Sequence, residues 1–320
     1  MATTKIQAAP QTAKRSFSAG SVISAIGRWI VRNRIYLIAF AIPAVLTYLA
    51  YALFGLYPFG EESVLCLDLN GQYVYYFEAL RDAFWGDGSI FYNWSRNLSG
   101  EFMGIISYYL ASPFTLIVML LPEKFMLSSL LIMQLCKLGA AGATFNYFLQ
   151  KRRGVQPYPS LLFSTMYAMM AYGVIQLIDP MWLDGLVFLP LIMLGIEYLV
   201  DDGRRLNFII PLALMCVANF YIGYMICFFV ILYFLFYLCF GSDKKRKGYD
   251  YFTAFVRIAY SSVIALACAA FMLLPVYNAL KLGKFEFTDP DYSFRFQSFP
   301  LSKKLLEGSI TTGSTVTVDC

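Results

Sequence analysis

Histidine is absent from this 320-residue chain. That excludes imidazole acid–base catalysis and any histidine-containing metal site, leaving Asp, Glu, Lys or Tyr for proton transfer. Charge is scarce too. Only 14% of residues are Asp, Glu, Lys or Arg, against roughly a quarter in ordinary soluble domains. The seven cysteines show no CxxC or other metal-binding spacing, and five of them (Cys136, Cys216, Cys227, Cys239, Cys268) fall inside apolar runs, where they read as small buried hydrophobes. There is no Walker loop, no GxGxxG after a strand and no internal repeat, so nucleotide hydrolysis is not expected. What fills the chain is apolar: 59% of residues are hydrophobic and the mean hydropathy is +0.61. The composition is that of an all-α polytopic membrane protein, and the bilayer is its first expected partner.

The bases are not spread as a nucleic-acid surface would have them, and no nucleic-acid partner is expected. They cluster at the N-terminus, at Lys151-Arg152-Arg153, at Arg204-Arg205 and at Lys244 to Lys247. This is the positive-inside pattern, which puts each cluster and the N-terminus in the cytoplasm. Residues 1–34 carry six bases and no acid, and read as a basic cytoplasmic tail whose first twenty or so residues are disordered. Ile35 to Leu56 is too long an apolar core for a secretory signal and reads as a retained span. Between consecutive cytoplasmic clusters the crossings must be even in number. Three apolar runs separate Arg34 from Lys151, so one cannot span. The weakest is 105–121, broken by Ser112-Pro113, and it is expected to re-enter or to lie at the interface. About seven transmembrane helices within residues 35–280 follow, eight being the alternative. Residues 281–320 read as an incomplete extracellular segment of a truncated chain.

The polar exception is the expected outside loop, 57–104, with seven carboxylates (Glu61, Glu62, Asp68, Glu78, Asp82, Asp87, Glu101) against Arg81 and Arg96. From Gln72 to Trp85 its apolar residues recur at helical spacing, predicting an amphipathic surface helix. Asp68 lies among apolar neighbours just ahead of that helix, either as a reactive carboxylate or as a turn-capping one. Lys137 interrupts an apolar run near its middle, with Gln134 one turn earlier. A cation at that depth costs several kcal/mol, so it must face a carboxylate or a polar cavity. The small-residue patch Gly139 to Ala143 lets another helix approach. Two carboxylates, Asp179 and Asp184, flank Trp182 in an expected outer turn, where Asp184 could equally cap the following helix. Asn219-Phe220-Tyr221-Ile222-Gly223-Tyr224 reads as an outer hairpin whose amide and phenols suit sugar hydroxyls or a phosphate. Glu101, Tyr108 and Tyr109 complete the polar set.

Six segments together resemble the YfhO family of bacterial membrane proteins, within the GT-C glycosyltransferase-like superfamily: Asp68-Leu69-Asn70-Gly71-Gln72-Tyr73, Tyr108 to Phe114, Lys137-Leu138-Gly139, Met181-Trp182-Leu183-Asp184, Asn219 to Met225 and Leu274-Pro275. The resemblance implies a GT-C-like bundle in the bacterial plasma membrane. It implies transfer of a sugar from a polyprenyl-phosphate carrier to an envelope acceptor, typically a teichoic acid, without metal or other cofactor. It makes Asp68 the catalytic residue. Lys137, Gln72, Tyr73, Glu101, Tyr108, Tyr109, Trp182, Asp184, Asn219, Tyr221 and Tyr224 are then expected to bind substrate. A transporter or lipid flippase, or a non-catalytic assembly subunit, is the alternative reading.

Overall fold

Long apolar runs have only one way to satisfy their backbone in lipid, and here they become helices. A computed structural model describes residues 19–94, 100–242 and 248–283; the start of the basic tail, Arg96, Lys244 to Lys247 and most of the 281–320 segment lie outside the described residues. In order come α1 (Ala19–Leu53), α2 (Val74–Trp85), a two-residue antiparallel ribbon of β1 (Tyr92–Asn93) with β2 (Gly100–Glu101), α3 (Met103–Ile105), α4 (Thr115–Leu120), α5 (Met126–Arg152), α6 (Pro157–Ala168), α7 (Ala171–Ile175), α8 (Leu183–Asp202), α9 (Leu206–Ala218), α10 (Phe220–Phe236) and α11 (Gly248–Gly283). The residues fall into two contact units, Met1–Ala279 and Leu280–Cys320; of the second only the end of α11 is described.

Among the described residues five helical stretches are long and apolar enough to cross a membrane: Ser24–Leu53, Glu123–Arg152, Pro180–Asp202, Phe220–Gly241 and Gly248–Lys281. The other two expected spans form shorter helices. The run from Pro159 breaks after Ala168, where Met170 turns extended, and resumes as α7. The run from Leu206 stops at Ala218. Segment 105–121 is α3, a π-helical turn (Ile106–Leu110) and α4, none long enough to cross.

Burial ranks the helices. In the Pro180–Asp202 stretch 78% of the apolar window is buried inside the protein, against 17% for Ser24–Leu53 and 22% for Gly248–Lys281. So α8 is the axis, and α1 and α11 leave most of their surface to lipid. Around α8 pack α5, α9 and α10. Two close approaches depend on missing side chains. A Cβ at Gly139 or Gly142 would lie 2.7 Å from the Phe40 carbonyl oxygen or 2.5 Å from that of Ala39, so the small face of α5 seats α1 backbone to backbone. At Gly195 a Cβ would sit 2.4 Å from the Asn207 carbonyl oxygen, which brings α9 onto α8.

The expected surface helix is α2. Val74, Phe77 and Leu80 are buried on one face and Tyr75, Glu78 and Asp82 are not, the 3.6-residue period carried into packing. Arg81 fixes its position: its Nη1 donates to the carbonyls of Val118, Met119 and Leu121, the unsatisfied end of α4, and the Trp85 indole donates to Met119 as well.

Candidate functional site

The site has two tiers. The lower is buried. Lys137, on α5, is 1% exposed and its ammonium lies 2.8 Å from Asp184 Oδ2 on α8, itself 0% exposed. The same Nζ donates to the Pro180 carbonyl at 2.8 Å, and the Phe114 ring lies 5.7 Å away. Ser112 donates to the other Asp184 oxygen at 2.8 Å. Helix capping is therefore not the use made of Asp184: its carboxylate serves an ion pair. Neither partner of that pair faces solvent, so Lys137 meets the carboxylate its depth demanded and presents no free ammonium to a substrate. A turn before Lys137, Gln134 donates to the Leu177 carbonyl at 2.6 Å. Two side chains of α5 thus grip the Leu177–Pro180 bend.

The upper tier sits on that bend. Asp179 Oδ1 accepts from the Tyr73 hydroxyl at 2.8 Å, and Asp68 Oδ2 lies 3.4 Å from the same hydroxyl. One phenol therefore stands between two carboxylates from distant parts of the chain. Tyr73 is buried while Asp68 is exposed. Burial raises the Tyr73 hydroxyl well above its ordinary range, and the hydrogen bond to Asp179 and the charges of Asp179 and Asp68 push it the same way. It stays a neutral donor. Asp68 occupies the N-cap position of the π-helical turn Leu69–Tyr73, yet its side chain caps no backbone N–H. Immediately before it, Leu67 takes φ 48°, a left-handed conformation that costs a branched residue about 1–3 kcal/mol.

Aromatic rings wall the upper tier. Tyr109 lies 5.0 Å from Tyr73, 5.1 Å from Tyr76 and 4.5 Å from Tyr108, centroid to centroid. Trp182 donates through its indole to the Tyr108 hydroxyl at 3.3 Å; burial raises that hydroxyl and the indole bond partly offsets it. Asn219, fully buried, donates to the Tyr108 carbonyl at 2.9 Å and to that of Met181 at 3.5 Å, while its Oδ1 accepts from Ile222 N at 2.9 Å. The expected hairpin at 219–224 is thus a single extended residue: Asn219 caps α10, and Phe220 onward is helix.

The candidates separate accordingly. Asp68, Tyr73, Tyr108, Tyr109, Trp182 and Asn219 gather in one wall, with Lys137 and Asp184 beneath. Tyr221 reaches that wall with its ring 5.8 Å from Tyr108, whereas exposed Tyr224 packs on Phe228. Gln72 is exposed. The Glu101 side chain lies outside the described residues, only its backbone pairing with Tyr92 being placed. Asp179, at the centre of the upper tier, was legible as half of the pair around Trp182 but not as the half that meets Asp68. Farther along α5, Arg152 and Arg153 converge on buried Glu197, with Nε–Oε2 at 2.8 Å and Nη2–Oε1 at 2.6 Å; Arg152 also pairs with Asp201. Tyr233 and Tyr237 donate to Glu197 and Asp201. The sequence showed the bases of this cluster and hid its acids.

The family model described as bacterial membrane protein YfhO matches residues 39–317. The chain belongs to that family. No curated protein and no solved structure matches it.

Proposed function

Taking membership of the YfhO family as premise, we propose that the chain is a membrane glycosyltransferase. It moves a sugar from a polyprenyl-phosphate carrier to a cell-envelope acceptor, such as a teichoic acid, at the outer face of the bacterial plasma membrane. The observation that carries this reading is the convergence of Asp68 and Asp179 on the Tyr73 hydroxyl, beneath aromatic rings and beside strained Leu67.

Asp68 is the base. It is exposed, so an acceptor hydroxyl can reach it and give up its proton as the oxygen bonds to the anomeric carbon of the donor sugar. The bond from that carbon to the carrier phosphate breaks, and its electron pair leaves on the lipid phosphate. Base assistance of this kind is worth about 10²–10⁴-fold in rate. Tyr73 holds Asp179 and screens the repulsion between the two carboxylates by standing between them. The rings of Tyr76, Tyr108 and Tyr109 offer faces for the apolar side of a sugar, and Gln72 and Tyr221 supply rim polar groups. Lys137 and Asp184 act at one remove, as positioning residues: the ammonium that neutralises Asp184 also holds the Pro180 carbonyl, and so aims Asp179.

The test is Asp68→Asn expressed in place of the native gene. The protein should insert at normal abundance while sugar on the envelope polymer falls by about 10²-fold or more. Normal glycosylation by that variant would overturn the assignment. A second reading, lipid transport or flipping, is favoured by the buried ion pair and by the interruptions between α6 and α7 and at Asn219. Reconstituted vesicles that move a labelled carrier lipid without consuming its sugar would favour it.

A further inference from the structure

Beyond the Asp68 wall, a separate cleft of about 740 Å³ opens between the second half of α2 and the turns that follow it. Neither Asp68, Tyr73 nor Asp179 lines it. Its walls are rings: Tyr75 is 59% exposed, Trp85 70% and Trp94 80%. Trp94 takes the edge of Tyr92 at 4.9 Å between centroids and the Trp85 indole N–H is held by Met119, yet all three rings keep wide faces open to the cleft. Among the described residues its charged lining is acidic, with Glu78, Asp82, Asp87 and Glu123 against Arg81. The Nη1 of that arginine is already engaged by the carbonyls at the end of α4. Among the described residues none of the four carboxylates has an ion pair. Glu78 is pushed up by burial and by the charge of Glu123, so two of these acids already repel across the cleft.

The sign of the charge decides against a phosphate ligand. Anything anionic, the carrier phosphate included, is repelled by four carboxylates and one guanidinium. A bare metal ion is not what the geometry suits either, because no three acidic, cysteine or histidine side chains converge to hold one among the described residues. Exposed indole and phenol faces combined with diffuse negative charge are the chemistry that holds an organic cation, whose charge meets the ring quadrupole while its carbon skeleton covers the ring.

We propose that this cleft is a binding site for a ligand bearing an organic ammonium group, either the headgroup of a zwitterionic lipid or a soluble amine. The site stands independently of the transferase reading, since it shares no residue with the Asp68 wall.

Two of the four tryptophans in the chain, Trp85 and Trp94, line the cleft, so intrinsic fluorescence reports its occupancy. The intact protein in phosphatidylglycerol nanodiscs is titrated with choline and, in parallel, with its uncharged isostere 3,3-dimethylbutan-1-ol. Choline should give a saturable change, with the isostere weaker by about tenfold or more, the equivalent of roughly 1.4 kcal/mol. Glu78→Gln combined with Glu123→Gln should weaken choline about as much, and Asp87→Asn in the exposed turn gives a milder loss if the double variant fails to fold. Adding phosphatidylethanolamine to the discs separates the sources: a rightward shift of the choline curve identifies a lipid headgroup, and an unchanged curve a soluble amine. Equal responses to choline and its isostere, no saturable response, or a curve unmoved by both sets of variants would overturn the proposal.

Discussion

Helices α5 and α8 are joined by charge at two levels, and the two levels differ in what they leave over. Lys137 pairs with Asp184 at one end, and Arg152 with Glu197 and Asp201 at the other. The cations are fifteen residues apart on α5, about 22 Å along a helix. Because both pairs advance in the same chain direction, α5 and α8 run parallel, which needs a return through α6 and α7. The arginine level is a wide network: two guanidiniums, two carboxylates and two phenols answer one another, and the Ser242 hydroxyl donates to Asp201 as well. The lysine level is a minimal pair with one serine, and its spare donor goes to a backbone carbonyl. Above it the next carboxylates, Asp179 and Asp68, meet a phenol rather than a cation. A network that satisfies itself locks two helices; a pair that hands its grip to a bend positions something else.

Breaking the lysine level should have the largest effect. Lys137→Met leaves the Asp184 carboxylate buried without its cation, which destabilises by about 3–5 kcal/mol. Unfolding of the purified protein should show it, and adding Asp184→Leu should recover most of the loss. Equal stability of the single and double variants would mean that the pair does not couple. Breaking the arginine level should cost less. Glu197→Gln removes one carboxylate from a network in which Arg152 keeps Asp201 and Arg153 is partly solvated, a loss of about 1–3 kcal/mol. Its effect on any sugar transfer should not exceed that on stability, because the cluster has no route to the upper tier except through the helices.

The smallest stability change and the sharpest functional one come from Tyr73→Phe. One hydrogen bond to Asp179 is lost, about 1 kcal/mol. Transfer should nevertheless fall by more than stability does, since the two carboxylates then face each other without the phenol between them. The pH dependence carries a sign. The Tyr73 hydroxyl is raised in the folded protein, so its contribution is fully present below the ordinary tyrosine range near about 10 and is lost as pH climbs from there through the folded value. Wild type should lose stability faster than Tyr73→Phe in alkaline solution, and parallel curves would remove Tyr73 from its assigned place.

How much of this could be read in advance varies residue by residue. Lys137 was legible because a lone cation in an apolar run is too costly to leave unpaired. The Gly139–Ala143 patch was legible because small residues at helical spacing have few uses in lipid other than close packing. The amphipathic period of α2 was legible for the same local reason. Asp179 was not, because Asp179 and Asp184 flank Trp182 alike, and only the way α8 begins sends one down to Lys137 and the other up to Tyr73. Glu197 and Asp201 were invisible as a cluster, since in sequence they sit at the end of an ordinary apolar helix. The turn at Asn219 looked like a hairpin because its phenols resemble a polar loop; one extended residue capping α10 suffices.

Helix, membrane and the need of each intramembrane charge for an opposite were settled by the chain alone, because the penalty for an unsatisfied backbone or a bare charge in lipid is local and large. Which acid answers which base, and which carboxylates remain to face the solvent, was decided only when α5, α8 and the Leu177–Pro180 bend came together. Pairing depends on distances between residues from 44 to 106 positions apart, and no local pattern encodes those.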